Sequence, residues 1–132
     1  MSTAYLDASA IVKLFKPEGE SERLAEVLAG YDLWASSEVV TVEVARTARR
    51  LGDAQLVGAA EAVLGSVALM ALTPQVRRRA AASFARRLRA LDAIHAASAL
   101  AIADDLAVVV AYDADLAGAL EGEGLSVVAP GA

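Results

Sequence analysis

The sequence predicts an α/β domain with a parallel sheet covered by helices on both faces, and two observations carry that prediction. Short apolar or β-branched segments recur along the chain, and stretches of helical periodicity separate them. Parallel strands need crossover connections of helix length, so strands spaced by helices imply a parallel sheet buried on both sides. At 132 residues the chain has the length of one domain, expected over residues 1–132, and no linker, repeat or low-complexity tract divides it.

In chain order, Thr3 to Leu6 is the first predicted strand, ending at Asp7 and feeding a helix from Ser9 to Phe15 that Pro17 stops. Glu20 to Leu28 places Leu24, Val27 and Leu28 at helical spacing before Gly30, and Asp32 to Ala35 is the second strand. Ser36 or Ser37 is placed to cap a helix running to about Leu51, which Gly52 terminates, and Asp53 to cap another from Ala54 to Leu64. Val67 to Leu72 is a continuous apolar run that reads as a buried strand. Thr73 and Pro74 form a capping hydroxyl with proline at the first helical position, leading into Gln75 to Leu88. Ala90 to Ala103 is helical through its alanines and through Leu91, Ile94 and Leu100. Leu106 to Tyr112 is the clearest strand, centred on three consecutive valines. Asp113 then opens a short helix to about Leu120, and Leu125 to Val128 is the last strand.

Composition narrows the chemistry. With 57% hydrophobic residues, alanine being about a quarter of the chain, there is ample apolar surface to offset chain entropy, and disorder is excluded. There is no Cys and a single His, which removes disulfide scaffolds, thiolate-held metals and multi-histidine sites. Mean hydropathy is +0.47, yet the longest charge-free run, Ala62 to Val76, is shorter than the ~20 residues of a spanning helix. No basic region precedes an apolar stretch at the N-terminus, so a cytoplasmic location is expected. The net charge of −5 looks unsuited to nucleic acid. The charge is uneven, however: Arg46, Arg49 and Arg50 form one basic group and Arg77 to Arg89 another, while Ala90 to Ala132 holds neither Lys nor Arg. Either group could contact phosphates, although for the Arg77 to Arg89 helix a solvated charged face is an equal reading.

In a parallel α/β sheet, ligands bind at the carboxyl ends of strands, and Asp7 and Asp113 stand there. Each alone reads first as a helix cap; two such acids in one small sheet weaken that reading. Glu43 sits on an apolar helix stripe with Val40, Val44 and Thr47, and Asp92 shares a face with Leu88, Ala96 and Ala99. Such charges are costly unless paired or metal-bound. The plain alternatives are a surface pair of Glu43 with Arg46 or Arg50, and Asp92 as a cap. Four converging carboxylates raise one another's pKa, whereas a hard divalent cation makes the same cluster a binding site. Oxygen-only ligation of that kind suits attack of an activated water on phosphorus.

The pieces that carry a family likeness run in order: Tyr5-Leu6-Asp7-Ala8-Ser9-Ala10-Ile11-Val12-Lys13; Ser37 followed six residues later by Glu43; Leu91-Asp92-Ala93-Ile94-His95-Ala96-Ala97-Ser98-Ala99; Tyr112-Asp113-Ala114-Asp115-Leu116; and Gly124-Leu125-Ser126-Val127-Val128 before Pro130. Together they resemble PIN-domain ribonucleases of the VapC toxin type. The resemblance implies a five-stranded parallel sheet with the first and fourth strands adjacent, which sets Asp7 beside Asp113. It also implies that Asp7, Glu43, Asp92 and Asp113 form an acidic site that cleaves RNA with Mg²⁺ or Mn²⁺ through an activated water. Asp7 and Asp92 would be the most direct ligands; Asp113 would bind metal directly or through water, and Glu43 would bind it or position the water. Asp115 would be a further outer acid or an exposed helix-start carboxylate. The implied partners are a VapB-type antitoxin that blocks the site, RNA as substrate, and a second copy in a homodimer.

Ser9 can bond a site carboxylate or a metal water, or act as a local cap. His95, on the face of Asp92, reads as a structural support of the site in preference to a general base, because a metal itself generates the nucleophile. Six aromatic residues, Tyr5, Phe15, Tyr31, Trp34, Phe84 and Tyr112, are the whole supply for base stacking. Two other classes fit the architecture: a receiver-like phospho-acceptor, which lacks here its paired first-strand acids and its late lysine, and a non-catalytic binding module whose acids are only caps and surface pairs.

Overall fold

A computed structural model describes residues 2–84 and 88–132. The elements run β1 (Thr3–Leu6), α1 (Ala8–Phe15), α2 (Ser21–Leu28), β2 (Leu33–Ser37), α3 (Val40–Arg50), α4 (Ala54–Leu64), β3 (Ala68–Met70), α5 (Pro74–Ala82), α6 (Ala90–Ala101), β4 (Leu106–Val110), α7 (Ala114–Gly122) and β5 (Val127–Val128). The strands form one five-stranded sheet in the order β3-β2-β1-β4-β5, and every pairing is parallel. β1 is the central strand: Tyr5 lies opposite Ala35 on one side and Val109 on the other.

Strand alternation divides the core in two. Ala4, Leu6, Val108 and Val110 face a cluster built with Ile11, Phe15, Leu24, Leu28, Val40 and Val44 of α1, α2 and α3. Tyr5 and Val109 face the other way, against Ala96 and Ala99 of α6 and Leu116 and Leu120 of α7. Leu6, Ile11 and Leu116 are wholly buried, each contributing about 1.5–3 kcal/mol relative to exposure. The two-sided helical cover read from the sequence is therefore present, and so is the adjacency of the first and fourth strands.

Helix starts follow the side-chain chemistry. Asp7 accepts from Ala10 N, Asp53 from Gln55 N, Thr73 from Val76 N, and Asp113 from Leu116 N. Gly52 closes α3 at a φ of 71°, a backbone region open to glycine at little cost.

Other expectations are corrected. Ser36 and Ser37 do not cap α3; they are the last residues of β2, and the helix starts at Val40 after Val39, which makes no side-chain cap. The apolar run Val67 to Leu72 yields only the short edge strand β3, in which Leu69 is 44% exposed, because a strand at the sheet margin has cover on fewer sides. The helix expected to reach Leu88 stops at Ala82: Ser83 is extended and Phe84 has a positive φ of 77°, with Phe84 packed on the second core. Ala85, Arg86 and Arg87 of that expectation lie outside the described residues. β4 ends at Val110, two residues short of Tyr112, and β5 spans only Val127–Val128.

Candidate active site

The carboxyl ends of β1 and β4 position the first acid. Asp7 follows β1 directly, and its N–H extends the ladder to Val110 O at 3.3 Å. The residue is 4% exposed. Oδ1 accepts two hydrogen bonds, from Ser9 Oγ at 2.6 Å and from Ala10 N at 3.0 Å. Ser9 Oγ in turn accepts Tyr112 N–H at 3.2 Å, so one hydroxyl joins the loop after β1 to the loop after β4. Burial pushes the Asp7 carboxyl above the ordinary aspartate range and the charge of Asp92 adds to that, while the bonds from Ser9 and Ala10 oppose it.

Asp92 and His95 come from α6, three residues apart on one helical face. Asp92 stands in the first turn and is not the cap, which is Arg89. Its pKa is raised, first by burial and next by the charges of Asp113 and Glu43. Asp113 is exposed and caps α7 through Oδ1 at 2.9 Å from Leu116 N. Glu43, on α3, does not pair with Arg46 or Arg50; its Oε1 lies 2.7 Å from His95 Nε2, and its side chain is 19% exposed. Four acids, each at or just inside the start of a helix, are thus gathered at one end of the sheet. Asp115 lies in the first turn of α7, along a groove it shares with Phe84 and Leu88.

The donor set is carboxylate and hydroxyl oxygen, with the imidazole already engaged at both nitrogens. By donor type it fits Mg²⁺ or Mn²⁺ rather than a soft metal. Among the described residues, no three acids or histidines are drawn together closely enough to make a preformed metal-binding group. The arrangement is a cluster of mutually repelling acids held at separate anchor points.

Beside Glu43 opens a cavity of about 490 Å³ lined by Val42, Glu43, Arg46, Thr47, Arg50 and Leu91, among others. Val42 is 61% and Leu91 46% exposed, so the cavity presents apolar surface together with the two arginines. Arg49 joins Arg46 and Arg50 in an adjoining recess.

A protein-family model, PIN domain, matches residues 4–119. The chain belongs to the PIN-domain family, in its VapC branch. It is 37% identical over 131 residues to Ribonuclease VapC35 of Mycobacterium tuberculosis, covering 96% of each chain. To Ribonuclease VapC46 of the same organism it is 34% identical over 130 residues, covering 98% of this chain and 99% of the relative. The fold is that of solved toxins: VapC20 of M. tuberculosis, a Sarcin-Ricin loop cleaving toxin, superposes with a TM-score of 0.72 at 20% identity over 96% of this chain and 99% of that one. A toxin-antitoxin complex from Klebsiella pneumoniae gives a TM-score of 0.72 at 19% identity, over 96% and 97% of the two chains.

Within this VapC-type PIN domain, sequence reasoning overlooks Tyr5. There it opens the first motif piece and counts among the aromatic residues available for stacking, with no role at the site, yet it is wholly buried and its hydroxyl lies 2.7 Å from His95 Nδ1. The signal is present: Tyr5 and Asp7 are two residues apart at the end of one strand, hence on one face. Among the described residues no helix is long and apolar enough to cross a membrane.

Proposed function

We propose that this chain is a divalent-metal-dependent endoribonuclease, the toxin of a type II toxin-antitoxin module, with Asp7, Glu43, Asp92 and Asp113 as its acidic site. The observation that carries the reading is the surplus of negative charge: Asp7 and Asp92, both held above the ordinary aspartate pKa, next to Asp113 and Glu43. Such a cluster destabilises a fold unless a cation offsets it. The relatives Ribonuclease VapC35 and Ribonuclease VapC46 support the same activity, and a toxin-antitoxin complex shares the fold.

Asp7, Asp92 and Asp113 would hold Mg²⁺ or Mn²⁺, with Glu43 beside them. When bound, the cation supplies Lewis acidity, a nucleophilic water at neutral pH and stabilisation of the leaving oxygen. The chain's own residues do the rest. Ser9 and Ala10 fix one Asp7 oxygen and leave the other for ligation. Arg46 and Arg50, in the cavity that Glu43 borders, draw RNA phosphates toward the acids and offset the repulsion expected from a net charge of −5. Exposed Val42 and Leu91 offer apolar surface at the same mouth to a VapB-type antitoxin. Self-association as a homodimer and a cytoplasmic setting complete the reading.

The test is cleavage of total RNA by purified protein, with RNA ends sequenced. Wild type with Mg²⁺ or Mn²⁺ should create discrete new ends, and Asp92→Asn, which disturbs no cap, should lose at least about 100-fold in rate, equal to about 2.7 kcal/mol of transition-state stabilisation. Cleavage that persists at full rate in the variant or in a chelator overturns the proposal.

A further inference from the structure

His95 is the chain's one histidine and is 1% exposed. Its ring is held on both sides, with Nδ1 2.7 Å from the Tyr5 hydroxyl and Nε2 2.7 Å from Glu43 Oε1. The Tyr5 ring meets it edge-on, centroids 5.8 Å apart and planes at 74°. The Tyr5 oxygen also receives the backbone N–H of Ser37 at 3.1 Å.

Proton accounting assigns a direction to this series of bonds. A carboxylate oxygen and a bare ring nitrogen are both acceptors and would repel at 2.7 Å, so the nitrogen facing Glu43 carries a hydrogen. The phenol has one proton to donate. With Ser37 N–H already pointing at the oxygen, the phenol proton is directed to Nδ1. In this direction Nε2 donates and Nδ1 accepts.

We propose that Tyr5 and His95 are positioning residues for Glu43: the ordered series Ser37 N–H to Tyr5 Oη, Tyr5 O–H to His95 Nδ1, and His95 Nε2–H to Glu43 Oε1 fixes one oxygen of the glutamate and leaves the other for the cation. The inference rests on the acidic-site reading above. Its physical content is that three elements converge on one carboxylate. β1 supplies the tyrosine that orients the ring and leads directly into Asp7, α6 supplies both Asp92 and the ring, and α3 supplies the glutamate. Glu43 has a flexible stem and would otherwise sample several rotamers at the mouth of the site. A hydrogen bond from a ring that cannot turn removes that freedom before the metal arrives.

Two measurements test this. The single histidine makes the first unambiguous: in the ¹⁵N NMR spectrum of the metal-free protein, the ring should show one protonated nitrogen, Nε2, and one unprotonated nitrogen, Nδ1. A ring protonated at Nδ1 overturns the proposal. That result would mean the phenol donates elsewhere, for example to Ser36 Oγ, which is buried without a hydrogen-bond partner among the described residues.

The second is Mn²⁺ affinity by calorimetry for Tyr5→Phe, His95→Ala, His95→Gln and Glu43→Gln. The first two should weaken binding by about tenfold or more, the range seen when partners of metal ligands are removed. His95→Gln should recover most of the loss, since its amide N–H can stand where Nε2–H stood. If Glu43→Gln weakens Mn²⁺ binding while Tyr5→Phe and His95→Ala bind as wild type does, positioning is refuted and the acidic site stands. If Glu43→Gln itself binds as wild type does, the role of Glu43 at the metal fails and this inference fails with it.

Discussion

Replacing Ser9 by alanine tests the joint between the two strand ends. The hydroxyl donates to Asp7 Oδ1 at 2.6 Å and accepts Tyr112 N–H at 3.2 Å. A hydrogen bond to a charged group is worth about 1.5–3 kcal/mol, and leaving the Tyr112 N–H without an acceptor costs about 1–3 kcal/mol. Against this stand the better helix propensity of alanine, about 0.5 kcal/mol, and water, which can reach a half-buried position. The net loss should be about 2 kcal/mol, a fall in Tm of about 8 °C for a domain of this size. Urea denaturation of the metal-free protein should be run on wild type, Ser9→Ala, Asp7→Asn and the double variant. Because half of the Ser9 contribution depends on the Asp7 charge, the cycle should show a coupling of about 1 kcal/mol. A loss under about 0.5 kcal/mol, or a strictly additive cycle, refutes the reasoning.

Removing the Asp7 charge should exchange function for stability. Its pKa is raised in the folded state, so the folded protein binds the extra proton between the ordinary aspartate value and the raised one. That stability is fully present below the unfolded pKa and is lost as pH rises through the folded one. Asp7→Asn keeps an acceptor for Ala10 N and should therefore gain stability relative to metal-free wild type as pH goes from about 4 to neutrality, while losing RNA cleavage; a difference independent of pH would contradict the burial argument. Arg46→Ala and Arg50→Ala should each lower the dependence of log affinity on log salt for single-stranded RNA, by about 0.7 for each phosphate no longer neutralised, measured in the Asp92→Asn background. An unchanged slope would remove those arginines from the RNA path.

Strand-helix alternation was legible because each element carries its own signal: three valines together in β4, Thr73 before Pro74 at α5, Asp53 and Asp113 as caps. Glu43 and Asp92 stand out as candidates because charge on an apolar helix stripe is conspicuous, and Asp7 and Asp113 because each follows a predicted strand. What could not be read depended on tertiary neighbours. Ser36 and Ser37 have capping side chains, yet pairing with Leu69 and Met70 of β3 extends their strand into the sheet. Val67 to Leu72 is as apolar as a central strand, and only its place at the margin leaves Leu69 exposed. Tyr5 and His95 meet across 90 positions of chain, a pairing no local pattern encodes. Phe84 turns the backbone to a positive φ while its ring packs on the core, against its local preference.

The central place of β1 also bears on how such a chain becomes active during synthesis. Its first partner, β2, emerges about 30 residues later, but its second, β4, begins only at Leu106. Until then β1 is an open edge, and the loop carrying Asp7 lacks both the Val110 carbonyl and the Tyr112 amide that hold it. Closure of so long a loop makes the pairing slow and late. A chain interrupted just before β4 would carry Asp7, Glu43 and Asp92 yet lack the frame that aligns them, so any cutting activity would be withheld until β4 had been made and paired.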